Sequence, residues 1–214
     1  MSTAAHPHSI RGELRICTRS VHEQLHEHSI FVDLFNGAVA AQQYSALMQS
    51  FHGFYVPMER AIDRALSQIS PGGVSFSYAN RSRLLVQDLQ DLGLSAQAID
   101  HNPVCEHISK VVTPQSLAGV LYVIEGSTLG AAQIDRAAQK LLHPDKPDGR
   151  RFWAWSRANN TTRWAMLNAY LAQLEASGQP IDAVLQGAMV TFQALADWLA
   201  PLDQPKLISQ GAVL

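Results

Sequence analysis

Apolar residues in this chain recur at steps of three and four almost everywhere, and period-two alternation is nearly absent. That property excludes a sheet-based core. A half-buried strand needs every second residue apolar, whereas one face of a helix needs i, i+3, i+4 and i+7. Ile10, Leu14, Cys17, Val21 and Leu25 share the face of a first helix, and Tyr44, Leu47, Met48, Phe51, Tyr55 and Met58 that of another. Leu84, Leu85, Leu89 and Leu92 follow, with Gly93 placed to cap the C-terminus. Thr113-Pro114 predicts a cap with proline at the first helical position, opening a long apolar segment over 117–142. Thr161 or Thr162 starts the next helix, through Trp164, Leu167, Tyr170, Leu171 and Leu174 to Gly178-Gln179-Pro180. A last helix runs over about 181–198, so the expected fold is all-α with about seven to nine helices. Turns are expected at Ser70-Pro71-Gly72-Gly73, at Asn102-Pro103 and over 143–149.

A length of 214 residues fits one domain. No repeat or interdomain linker interrupts it, and the expected organisation is one domain over 1–214, with an ordered core at about 9–200 and flexible termini. An apolar fraction of 47% against 16% charged residues excludes a disordered chain. A formal charge of −2 gives no basic face for nucleic acid. Two cysteines, Cys17 and Cys105, build no disulfide framework and fit a reducing compartment. The start MSTAAHPHSIRGELR lacks the apolar stretch of a signal peptide. No apolar run reaches the roughly 18–20 residues of a membrane span. These readings predict a cytoplasmic protein without a membrane partner. Nine histidines in so charge-poor a chain point toward metal chemistry.

Three features can carry chemistry. His22-Glu23-Gln24-Leu25-His26 matches H-E-x-x-H, a zinc-protease pattern, and contains E-x-x-H, a di-iron pattern. Both matches are incomplete. Ser29 and Val32 stand where an extended zinc motif needs glycine and histidine, and the second di-iron copy is missing. His22 nevertheless lies at the edge of the apolar face, where a neutral imidazole can ligate a metal; His26 and His28 read as surface residues. The second feature is Tyr122-Val123-Ile124-Glu125-Gly126-Ser127-Thr128-Leu129-Gly130-Ala131-Ala132-Gln133. Each glycine inside a helix costs about 0.8–1 kcal/mol relative to alanine. Gly126 and Gly130, on one face, imply close approach either of a ligand or of another helix. The third is a set of arginines, Arg15, Arg19, Arg150, Arg151 and Arg163, which cover apolar surface or pair carboxylates.

Together these segments resemble the heme oxygenase family. Leu14-Arg15-Ile16-Cys17-Thr18-Arg19-Ser20-Val21-His22 is similar to its proximal helix, and Tyr122 through Gly130 to its distal helix. The likeness covers about 14–198 and is nearest to soluble bacterial members, including those that supply biliverdin to bacteriophytochromes. The resemblance implies a single all-α domain with heme sandwiched between the first helix and the glycine-bearing one. It implies His22 as axial ligand to heme iron, and Gly126, Ser127 and Gly130 over the distal face where O2 binds. Arg15 and Thr18 on the first helix, Tyr122 and Arg163 would meet the heme and its propionates, and Phe192 would pack beside the macrocycle. Ser127 stands where mammalian relatives carry an aspartate, and Ala131 replaces a glycine of some members, which would narrow the distal space. The implied reaction is O2- and electron-dependent cleavage of heme to biliverdin, CO and Fe2+. No G-x-G-x-x-G fingerprint is present, so electrons would come from a ferredoxin, flavodoxin or reductase. A non-catalytic heme-binding or storage protein of the same fold is the alternative, ahead of a heme-free, thiaminase-like member.

Overall fold

The computed structural model describes residues 9–69, 73–142 and 145–203. The termini expected to be flexible, and parts of the turns at 70–73 and 143–149, lie outside the described residues. Among those residues the chain forms nine α-helices and a closing 3-10 turn, with no strand. They are α1 (Ile10–Glu27), α2 (Ser29–Phe35), α3 (Ala41–Ser67), α4 (Ser82–Asp91), α5 (Ala96–Asp100), α6 (Ile108–Val111), α7 (Leu117–Leu141), α8 (Arg151–Ala176) and α9 (Asp182–Leu199).

Three boundaries depart from the periodicity, each because a side-chain hydrogen bond intervenes. The helix expected from Thr161 or Thr162 begins ten residues earlier, at Arg151. Asp88 of α4 caps it: its two carboxylate oxygens accept the Arg151 and Phe152 amides at 2.6 and 2.9 Å. A carboxylate there is favoured by the N-terminal end of the helix dipole. Thr113-Pro114 does not open α7. Thr113 and Ser116 close a turn of their own, Thr113 N–H donating to Ser116 Oγ at 2.9 Å and Ser116 N–H to Thr113 Oγ1 at 3.2 Å, and α7 starts at Leu117. His28 is not a surface residue. It is 8% exposed and breaks the first helix. Its Nδ1 accepts the Ile30 amide at 3.3 Å to cap α2, and its Nε2 lies 3.0 Å from the Leu199 carbonyl. Gly93 does end α4, with φ +91°, a conformation cheap only for glycine.

The centre of the fold is α7, packed along α8 and α9, while α1 lies across α9 and touches α8. Helix α3 brings a wall of Tyr44, Leu47, Met48, Phe54, Tyr55 and Met58, all buried. Close backbone approach is achieved at glycines other than the expected pair. A Cβ at Gly119 would collide with the Val184 carbonyl of α9, one at Gly187 would meet the Ser116 carbonyl at 2.6 Å, and one at Gly53 would strike the Pro103 carbonyl. Contrary to expectation, α7 holds an 18-residue window of mean hydropathy 1.3, long and apolar enough to cross a membrane on composition alone. Its place in this fold is that of a core helix, with Glu125 and Asp135 fully buried in ion pairs along it.

Candidate functional site

Helix α1 presents one stripe of chemistry. On a helix, positions spaced by three, four and seven share a face, and Arg11, Arg15, Thr18, Arg19, His22 and His26 are so spaced. The His22 ring stands edge-on to His26 with centroids 4.6 Å apart, and edge-on to Phe192 of α9 at 5.8 Å and 87°. Partial burial, then the neighbouring His26, hold the His22 imidazole below its ordinary range, against an opposing pull from Glu23. Its neutral form, the one with a lone pair to give a metal, is therefore favoured. Thr18 is 4% exposed. Its hydroxyl donates to the Leu14 carbonyl at 2.7 Å and lies near the Tyr122 hydroxyl of α7. Burial raises the Tyr122 phenol, with Thr18, Arg11 and Arg15 pulling the other way. Arg15 is exposed and forms no ion pair among the described residues. Arg11 lies over the Trp164 ring, 5.4 Å from its centroid.

Opposite, α7 offers a turn without side chains. A Cβ placed at Gly130 would meet nothing within 4 Å, and one at Gly126 only the edge of Trp164 at 3.5 Å, an ordinary contact. Neither glycine is required by helix packing, so of the two readings of this pair the packing contact is removed. Leu129, one turn from Gly126, and Met189, one turn from Phe192, are left 48% and 47% exposed. Trp164 of α8 packs beside Tyr122 at 5.8 Å between centroids. The candidate site residues thus lie on α1 and α7, with Trp164 of α8 beside Tyr122 and Phe192 of α9 beside His22. Ser127 is exposed; its hydroxyl donates to the Ile124 carbonyl at 2.7 Å and lies near that of the buried Tyr55.

Two expectations are corrected. Arg163 does not stand at the rim. Its side chain points inward, with Nη2 2.6 Å and Nε 3.2 Å from Glu125 Oε1, and Nη1 donating to the Ser77 carbonyl at 2.9 Å. All its donors are committed inside the protein. Ala131 does not narrow the open face of α7, because it is fully buried on the opposite side. Trp164, Tyr55 and Leu129 belong to the site or its edge and were not singled out by sequence. Trp164 was hidden in a helix pattern where an aromatic reads as core. Among the described residues no group of three His, Cys, Asp or Glu side chains converges as a metal site, which removes the geometric basis of the zinc and di-iron motifs.

A family model described as heme oxygenase matches residues 8–200. This chain belongs to the heme oxygenase family. Among solved structures it is similar to the heme oxygenase from Leptospira interrogans, with TM-score 0.72, 19% identity, and coverage of 90% of this chain and 99% of that one. It is also similar to heme oxygenase-1 from the cyanobacterium Synechocystis sp. PCC6803 in complex with heme, with TM-score 0.70, 20% identity, and coverage of 91% and 92%. At such identities the likeness bears on the fold. A search of curated proteins gives no match.

Proposed function

We propose that this protein cleaves heme to biliverdin, CO and Fe2+ with O2 and electrons from an external donor of ferredoxin, flavodoxin or reductase type. The observation that carries the reading is the pairing of a neutral-favoured His22 with a side-chain-free turn that faces open space at Gly130. Heme, both substrate and cofactor, supplies the redox chemistry when bound. The chain's own residues do the rest. His22 gives the iron a neutral nitrogen rather than an electron-rich thiolate. Arg15, with no ion pair among the described residues, together with the Thr18 and Tyr122 hydroxyls, would offer donors to the carboxylates at the ring edge. Phe192 and Trp164 provide flat apolar contact. Gly126 and Gly130, which present no side chain, would leave room for O2 beside the bound heme. The exposed Ser127 hydroxyl, near that of Tyr55, would hold a proton at the edge of that turn. The expected setting is the cytoplasm, with iron release or biliverdin supply to a bacteriophytochrome as the purpose.

The test is a hemin titration followed by reductant under air. Wild-type protein is expected to develop a Soret band that bleaches as biliverdin accumulates. His22→Ala is expected to bind hemin at least about tenfold more weakly, because loss of even an outer-shell partner of a metal ligand typically costs about 10–100-fold. A Soret band that persists unbleached would leave heme binding or storage as the function. No band, with His22→Ala indistinguishable from wild type, would overturn both.

A further inference from the structure

The mechanism above makes no use of the largest buried charge cluster in the molecule. Glu125 immediately precedes Gly126 and points away from the open face, with a side chain 0% exposed. Its Oε1 receives both Nη2 and Nε of Arg163 from α8. Its Oε2 lies 2.7 Å from Arg81 Nη2, a contact of charge rather than an aligned hydrogen bond. Arg81, also fully buried, is sandwiched between the rings of Tyr78 and Trp155 at 5.4 and 5.1 Å. Those π-faces take the place of an acceptor for its orphaned Nη1. The Arg81 amide donates to Glu59 of α3 at 2.6 Å, and the Tyr78 hydroxyl to the same oxygen at 3.0 Å. Two arginines and two glutamates balance in charge. Through them the residue before Gly126 is fixed to α8, to the 73–81 connection and to α3.

Such a cluster is a poor means of gaining stability, because desolvation offsets most of the attraction and an apolar replacement often serves as well. What it supplies is direction. Two guanidinium nitrogens on one carboxylate oxygen define an orientation that apolar packing does not. The turn at Gly126–Gly130 has no side chains on its open face to hold it in place, so its position is set from behind. The residue after Gly126, Ser127, donates its hydroxyl to the Ile124 carbonyl at 2.7 Å, and the nearby Tyr55 hydroxyl lies in the field of Arg81, Glu59 and Glu125. We propose that Glu125, clamped by Arg81 and Arg163, is a positioning residue that sets the height and angle of the Gly126–Gly130 turn above bound heme, and so which edge of the ring is oxidised. This rests on the heme-cleaving reading above.

Asp135 provides the internal control. It lies on the same helix, fully buried, 2.6 Å from Arg150 Nη1 and 3.0 Å from Arg157 Nε. Amide exchange in the heme-free protein, hemin binding and the distribution of biliverdin isomers are compared for wild type, Glu125→Gln and Asp135→Asn. In Glu125→Gln the amides of 126–130 are expected to exchange about tenfold faster while 136–141 stay unchanged. Hemin affinity is expected to fall less than in His22→Ala, since Glu125 bonds Arg81 and Arg163 and neither His22 nor its neighbours, and the isomer mixture is expected to broaden. Asp135→Asn is expected to loosen 136–141 only and to leave the isomer mixture as in wild type. Arg163→Lys keeps the charge but removes the paired donors. It is expected to repeat the Glu125→Gln pattern more weakly, and it serves where the glutamine variant fails to fold. Equal loosening of both segments by either variant, or unchanged exchange over 126–130 with a normal Soret band, overturns the inference alone. Absence of a Soret band in wild type overturns the heme reading with it.

Discussion

Helix α7 has two faces that obey opposite rules. Along its packed face the backbone of Gly119 touches that of Val184, and Glu125 and Asp135 are each buried against two arginines. Along its open face Gly126, Leu129 and Gly130 meet little protein or none, and Leu129 is left half in solvent. Glycine therefore means two things in one helix. At Gly119 its missing Cβ is filled by another helix; at Gly130 it is filled by nothing among the described residues. A helix under selection for stability alone would carry alanine at the second position, because each interior glycine costs about 0.8–1 kcal/mol there. The unfilled glycine is the one that points to a ligand.

The contrast can be broken by substitution. The largest effect is expected at the packed face from Asp135→Ala, which strips the carboxylate from Arg150, 5% exposed. Removing one partner of a buried pair costs about 3–5 kcal/mol, and urea denaturation should show that loss. Gly119→Ala comes next. Alanine's better helix propensity is outweighed by the clash with the Val184 carbonyl, and overpacking of this kind costs about 1–3 kcal/mol. A Gly119→Ala protein as stable as wild type would show that α7 and α9 separate freely and that the packed face is not what fixes α7.

Much of this was legible in the sequence. The period of three and four gave α1, α3, α7 and α9, since each buries one continuous face and periodicity reports burial. The stripe of Arg15, Thr18 and His22 and the pair Gly126 and Gly130 were legible because helical spacing alone places them on a face. What escaped depends on partners remote in sequence. The start of α8 is set by Asp88, more than sixty positions upstream of Arg151 in the chain. The break between α1 and α2 is set by His28 and its bond to Leu199, so a histidine that reads as surface is core. Arg163 stands at the propionate edge by the resemblance, yet it is consumed by Glu125. A one-dimensional pattern cannot tell a solvated arginine from one whose carboxylate lies across the core. For the same reason the glycines that pack, Gly53, Gly119 and Gly187, were overlooked beside the conspicuous pair that does not.

The smallest expected effect has the opposite sign and bears most directly on the contrast. Gly130→Ala adds a methyl group into space that holds no protein atom within 4 Å, and the gain in helix propensity should stabilise the heme-free protein by about 0.8–1 kcal/mol. Gly126→Ala should gain less, because its methyl must settle against Trp164 at 3.5 Å. Both variants should melt above wild type without hemin. With hemin the order should invert, because the added methyl occupies the space that the open face keeps clear. Binding should weaken, and the stabilisation that hemin confers on wild type by mass action should shrink in both variants, more in Gly130→Ala. If thermal melts show Gly130→Ala gaining stability with hemin present as well as absent, the open face is not where the ligand lies, and the two faces of α7 differ in packing alone.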